Sequence, residues 1–308
     1  MGTPVFTVMV CTYDRPQDLE KCLSSLEGQF FRDFEIVVVQ GPPYKRDVSE
    51  TNAVLERYKD KIRWLHIDEN NIAKARNIAL DAAHGRYTAM IDDDAIAMPN
   101  WLLSYQQAFE RRPDISGFGG FARNPNGTIA SQVVVCDRHA SVYHYATEQA
   151  ADITQRPGVA RGFSLTGYNA CFVTEAARDV GGFDDVFAYM FEETDLCFRL
   201  VDAGYLLGFQ PNCWVTHASS ESIDRLVKGG PRTYTRIFTS LAYFCHKHSP
   251  HDADAYSDAF ADARRADIKA AVQGGKINKE RGENLLADIA FGLREGRAKA
   301  ATLNHVKR

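Results

Sequence analysis

Four β-branched apolar runs alternate with three helical stripes before residue 93. Val5 to Cys11, Phe34 to Val39, Ile62 to Ile67 and Tyr87 to Ile91 read as strands. Between them, Leu19, Cys22, Leu23 and Leu26 recur at helical spacing after Pro16, a residue suited to the first helical position. Val54, Leu55 and Tyr58 mark a second helix, and Ile72, Ala75, Ile78, Ala79 and Ala82 a third that stops near Gly85. This βαβαβαβ order predicts an α/β fold with a largely parallel sheet between layers of helices. Ligands of such sheets bind beyond the carboxyl ends of the strands. Cys11 to Arg15, Gln40 to Pro43, Asp68 to Asn71 and Asp92 to Asp94 are expected there.

Beyond residue 100 the pattern loosens. Gly117 to Gly120, Asn124 to Gly127 and Arg156 to Gly162 read as turns and loops, and Asn169 to Thr174 as a strand. Gly181 to Asp184 reads as a turn, and Glu192 to Ala203 as a helix. After His251 two alanine-rich helical stretches flank Gly274-Gly275, the second with Leu286, Ile289, Ala290 and Leu293 on one face. Residues 251–308 carry 11 Lys+Arg against 9 Asp+Glu, whereas the first 250 carry 25 against 31. A slightly basic helical appendage, 251–308, is therefore expected on a body of 1–250. The net charge of −4 argues against general nucleic-acid affinity. No apolar run of about 18 residues predicts a membrane span, and the N-terminus shows no signal-peptide pattern. The seven scattered cysteines have no CxxC pairing, which predicts free, mostly buried thiols in a reducing cytoplasm.

Three aspartates follow the fourth strand in "YTAMIDDDAIAMPNW". Alternate side chains of an extended segment share a face, so Asp92 and Asp94 can converge while Asp93 points elsewhere. Converging carboxylates suit a hard divalent cation, which relieves their repulsion and completes its shell with substrate phosphates. A helix cap or solvated loop charge is the plainer alternative. In "YMFEETDLCFRL", Glu192, Glu193 and Asp195 open a helix. They either compensate its dipole or supply a general base. His217 in "CWVTHASS" is a packed histidine or a third metal ligand. In "NNIAKARNIAL" the helix start near Asn71, with Lys74 or Arg76, could meet phosphates. Trp101, past the triplet, is a candidate to stack on a ligand, or a core residue.

Six segments occur in a specific order: "VMVCTYDRP", "NNIAKARNIAL", "AMIDDDA", "GYNACFVTEAARDVGGFDD", "FEETDLCFRL" and "WVTH". Together, over residues 4 to 245, they resemble the family 2 glycosyltransferases, which have the Rossmann-like GT-A fold. The resemblance implies a nucleotide-binding half near 1–121 and an acceptor half near 122–250. It implies that Asp92 and Asp94 form a DxD motif holding Mn²⁺ or Mg²⁺ and contacting the donor's ribose, with Asp93 assisting and His217 a further ligand. Thr12, Tyr13, Asp14 and Arg15 would line the nucleobase pocket. The position where relatives often carry an aspartate reads Gln40 here. Glu193 would be the base of an inverting transfer from a nucleoside diphosphate sugar, with Glu192 and Asp195 beside it. The acceptor would be a glycan, a glycolipid or a small molecule, in polysaccharide or glycoconjugate synthesis. A nucleotidyltransferase making nucleotide sugars is the rival enzyme, but Thr12 to Arg15 is not its Gly-rich phosphate loop. A sugar-nucleotide or glycan-binding module without catalysis is the other. The tail could dock on the body, pair two subunits, or lie on the inner face of a membrane.

Overall fold

The computed structural model describes residues 2–42, 48–131, 133–145, 162–218 and 231–303. The chain divides into two compact units. The first comprises Met1–Val135, Val142–Asp185 and Glu192–Ser220. It opens with β1 (Phe6–Thr12), α1 (Pro16–Glu27), β2 (Phe34–Gln40), α2 (Ser49–Tyr58), β3 (Ile62–His66), α3 (Ile72–Ala82) and β4 (Tyr87–Asp92), as the alternation predicts. There follow β5 (Ala95–Ala97), α4 (Trp101–Arg111), β6 (Ile115–Arg123), β7 (Ile129–Ser131), β8 (Val133–Cys136), β9 (Val142–Tyr145) and β10 (Gly162–Phe163). The unit closes with β11 (Ala170–Val173), α5 (Thr174–Asp179), α6 (Glu192–Asp202) and β12 (Leu206–His217).

The main sheet runs β3-β2-β1-β4-β11-β6-β12-β5, and a small sheet runs β10-β8-β9. β3, β2, β1 and β4 are parallel. β11 is antiparallel to both β4 and β6, and β12 is parallel to β6. Two reversals cancel, so β12 ends on the same edge of the sheet as β4. Helices cover both faces, which is why the central strands are apolar throughout. Phe6, Val8 and Val10 of β1 pack with Leu19, Leu23, Leu55 and Trp101. Met9 points to the opposite layer with Val37, Ala79, Phe172 and Leu196. The alternation along β1 follows from the two-residue strand period.

Gly117 to Gly120 belong to β6, against the expectation of a loop. Glycine is used there because neighbours approach too closely for a side chain. A Cβ at Gly117 would lie 2.8 Å from Phe172, and one at Gly120 would lie 2.3 Å from the Asn169 amide and 2.5 Å from the Cys213 carbonyl. Asn124 to Gly127 and Gly181-Gly182 do form turns, with positive φ at each of these three glycines. Residues 156–161 lie outside the described residues, and Gly162 opens β10.

Asn169 is a buried knot. Its amide donates to the Phe121 and Cys213 carbonyls, and its Oδ1 accepts from Trp101 Nε1 and Tyr105 Oη, both at 2.8 Å. Trp101 is 0% exposed, so it is a core residue and not an acceptor platform. Gly120→Ala should push against this knot and a fixed carbonyl, and destabilise the protein by about 1–3 kcal/mol. A urea midpoint equal to the parent's would show that the strand can yield.

The second unit comprises Cys136–Ser141, Val186–Phe191 and Glu221–Arg308. Its described helices are α7 (Pro231–His248), α8 (Ala253–Gln273) and α9 (Lys279–Ala300). The division therefore falls before α7, earlier than the expected boundary at residue 250. Leu285, Ile289 and Leu293 form the buried face of α9, while Leu286 is only partly covered and Ala290 is exposed. The face is rotated from the expected one because Gly292 and Gly296 seat α9 on the backbone of α7. A Cβ on them would lie 2.5 Å from the Thr235 carbonyl and 2.4 Å from the Thr239 carbonyl. Among the described residues no helix is long and apolar enough to cross a membrane. All seven cysteines are free, and all but Cys11 are buried.

Candidate active site

β4 delivers Asp92 at its carboxyl end. The chain then turns through Asp93 and Asp94 into β5, which pairs antiparallel with the last residues of β12, His217 opposite Ala95. The Ala218 N–H donates to the Asp94 carbonyl at 2.9 Å. This pairing carries His217 to the aspartates. One ligand atom from each of Asp92, Asp94 and His217 lies within 4.8 Å of the others. His217 Nε2 is 3.2 Å from Asp94 Oδ1 and 3.9 Å from Asp92 Oδ2. Two carboxylate oxygens and one imidazole nitrogen are a donor set that fits a divalent cation.

Each member of this triad is held from behind, as metal ligands commonly are. Arg15 Nη1 lies 3.1 Å from Asp94 Oδ2, and the Tyr168 ring stacks on His217 at 4.4 Å. Arg76 Nη2 lies 3.6 Å from Asp92 Oδ1. Asp93 lies in the turn that follows β4, points inward and is 0% exposed. It accepts from Thr12 Oγ1 at 2.7 Å and from the Arg15 guanidinium. Burial pushes its carboxyl up to about 6, while Arg15 pulls the other way. Asp93 is thus an internal counter-ion and not a donor contact.

Other expected donor residues are also engaged internally. The buried Gln40 amide donates to Asn52 Oδ1 and accepts from Trp64 Nε1, each at 3.0 Å. Asn71 caps α3, accepting from the Lys74 N–H and donating to the Asp185 carbonyl. Lys74 is exposed and paired with Glu69. Arg76 turns from the start of α3 towards carboxylates instead of an open phosphate site. Tyr13 and Asp14 stay half-buried past the end of β1, with Asp14 at φ 53.

The acidic pair opens α6. Glu192 is 4% exposed, and its Oε1 accepts from Arg76 Nη1 at 2.6 Å. The Glu193 side chain is 21% exposed. Its Oε1 accepts from the Gly167 N–H at 3.3 Å, and its Oε2 is 3.8 Å from Arg76. The Oε2 atoms of both residues are buried and have no hydrogen-bond partner among the described residues. Burial, then the charge of Glu193, push the Glu192 carboxyl up to about 8 against the pull of Arg76. Glu193 is therefore the more available carboxylate of the two. Asp195 is 0% exposed and paired with Arg199 at 2.7 Å, one turn along the same helix. Arg199 also donates to the Val180 and Gly182 carbonyls. Asp195 therefore anchors α6 to the glycine turn and has no access to a substrate.

Gly167 and Tyr168 were not singled out from the sequence. They sit in the quoted "GYNACFV" segment, but nothing local in it shows that one touches the acidic pair and the other the histidine.

The family model for Glycosyl transferase family 2 matches residues 7–165. Pre-mycofactocin glycosyltransferase of Mycobacterium tuberculosis is 30% identical over 158 residues, 49% of this chain and 31% of that protein. An uncharacterized protein, y4gI, of Sinorhizobium fredii is 26% identical over 261 residues, 82% of this chain and 28% of its own length. The chain spans 28–40% of the length of the curated relatives it matches first. Among solved structures, the mannosyltransferase PcManGT from Pyrobaculum calidifontis, in complex with GDP-Man and Mn²⁺, superposes with TM-score 0.56 at 16% identity. That match covers 96% of this chain and 88% of the other. S. aureus TarS 1–349 in complex with UDP-GlcNAc gives TM-score 0.59 at 15% identity, covering 97% and 83%. The shared architecture is the GT-A fold, and with more than half of its residues matched by the family model, the chain belongs to glycosyl transferase family 2.

Proposed function

We propose that this protein is an inverting glycosyltransferase that moves a sugar from a nucleoside diphosphate sugar to an acceptor hydroxyl. The observation that carries the reading is one guanidinium, Arg76, bridging the candidate metal triad at Asp92 and the acidic pair at Glu192 and Glu193. That contact supports a donor site and a base lying side by side. The GDP-Man and UDP-GlcNAc complexes of the structural neighbours support a sugar-nucleotide donor. Asp92, Asp94 and His217 would hold Mn²⁺ or Mg²⁺, whose charge offsets that of the departing diphosphate. Glu193 takes the acceptor proton as the hydroxyl oxygen attacks the anomeric carbon. The bond to the diphosphate oxygen breaks on the opposite face, which inverts the centre. Glu192, Asp93 and Arg15 hold the reacting groups and touch no substrate.

On this reading residues 1–121 serve the donor and 122–250 the acceptor, a glycan, glycolipid or small molecule. The helices after 250 serve docking or self-association, with a membrane surface as the third possibility. Free thiols fit a cytoplasmic setting. Incubation with UDP, GDP and dTDP sugars plus Mn²⁺ or Mg²⁺, with release of nucleoside diphosphate as readout, tests the reading. No release from any donor, with any acceptor class, would reject it. The matching nucleoside diphosphate with metal should also stabilise the fold by about 2.7 kcal/mol at 100-fold its Kd. An unchanged Tm with UDP, GDP and dTDP alike would count against a nucleotide site.

A further inference from the structure

Arg76 carries more than a bridging contact. It is 5% exposed, and its guanidinium is committed in all directions. Nη1 faces Glu192 at 2.6 Å and Glu193 at 3.8 Å, and Nη2 faces Asp92 at 3.6 Å. The Phe183 ring lies 5.7 Å from its central carbon. A Cβ on Gly167 would lie 2.1 Å from Nη2, so only glycine lets the guanidinium rest there. The same Gly167 N–H donates to Glu193 Oε1. Arg76 and Gly167 therefore hold the Glu193 carboxylate from two sides, and its Oε2 is itself buried, with no hydrogen-bond donor among the described residues. As a stability device the Arg76–Glu192 pair is poor, because desolvating two charges offsets most of their attraction.

We propose that Arg76 is the positioning residue of the transfer step, aiming Glu193 at the acceptor hydroxyl through its contacts with Glu192 and Gly167, and that it adds little to donor affinity. This rests on the transferase reading above. The charged and titratable groups facing the guanidinium are Glu192 and Glu193 from α6, Asp92 from β4 and Cys11 from β1.

The test compares the full-length parent with Arg76→Gln and Arg76→Gln/Glu192→Gln, using the donor found in the screen of nucleotide sugars. In Arg76→Gln, kcat should fall about 10- to 100-fold, the usual cost of losing a supporting residue, with donor KM changed less than about threefold. The double variant removes Arg76 and its closest partner together, so its Tm should lie nearer the parent's than that of Arg76→Gln, while kcat stays low. It also reads the proposal if Arg76→Gln alone does not fold. A tenfold rise in donor KM at unchanged kcat would make Arg76 a donor ligand and overturn the proposal. Recovery of kcat in the double variant would overturn it too, leaving Arg76 a mere neutraliser of Glu192. Parental kcat in both variants would sink the proposal alone. A parent that turns over no nucleotide sugar would sink the transferase reading and this inference with it.

Discussion

Asp94→Ala is expected to remove metal-supported donor turnover, a loss of about 10³-fold if the ion supplies several kcal/mol of charge stabilisation. Asp94 is the most enclosed member of the triad. One of its carboxylate oxygens faces His217 and the other Arg15, and only 3% of the residue is exposed. Alanine takes away a ligand at the centre of the set. It leaves the Ala218-to-Asp94 backbone hydrogen bond, which keeps β5 paired with β12, so the fold should survive. Arg15 keeps Asp93 as partner and is not stranded. The check has two parts. Mn²⁺ binding, followed by the loss of its free-ion resonance, should be weakened in the variant. Parental turnover should vanish in excess chelator and return with Mn²⁺ or Mg²⁺. Full turnover by the parent in chelator, or by the variant with metal, would remove the metal from the mechanism.

The sheet was legible because its signal is local. β1, β2, β3 and β4 alternate with apolar helical stripes, and strand ends fall within a residue or so of those read from the pattern. β6 was not, because the glycines of "ISGFGGFAR" answer to neighbours distant in sequence. Gly120 is glycine on account of Asn169 and Cys213, and no window around residue 120 contains that information. The same limit applied to the site. Strand alternation set Asp93 apart from Asp92 and Asp94, as the structure does, although Asp93 and Asp94 lie in a turn and not in the strand. It did not reveal that Asp93 is fully buried against Thr12 and Arg15, since that needs β1 beside β4. Trp101 and Asp195 looked functional because aromatic and acidic side chains near a motif invite that reading. Their partners, Asn169 and Arg199, show why they are structural. Arg76 was read as a phosphate contact from its place near a helix start. Its true partners lie 116 residues away in α6.

Glu193→Gln is expected to lower single-turnover transfer by about 10²- to 10⁴-fold, the usual worth of a general base. Glutamine keeps the length and can still accept from the Gly167 N–H, but it cannot take a proton. Donor binding should persist, because Glu193 makes no contact with Asp92, Asp94 or His217 among the described interactions. Glu192→Gln is the control that separates the pair. Its side chain is nearly enclosed and bound to Arg76, whereas the Glu193 side chain is partly exposed. Successive helix residues also point about 100° apart, so both cannot address one hydroxyl equally. Glu192→Gln should therefore cost less, and what it does cost should come from loosening Arg76. Asp195→Asn should act on stability, since it weakens the Arg199 anchor and touches no reacting atom. Transfer by the three variants at saturating donor, measured beside their Tm values, distinguishes these roles. Parental transfer in Glu193→Gln, or a dead Glu192→Gln with an active Glu193→Gln, would move the base to the buried member of the pair. It would also imply that α6 must shift before an acceptor hydroxyl can reach it.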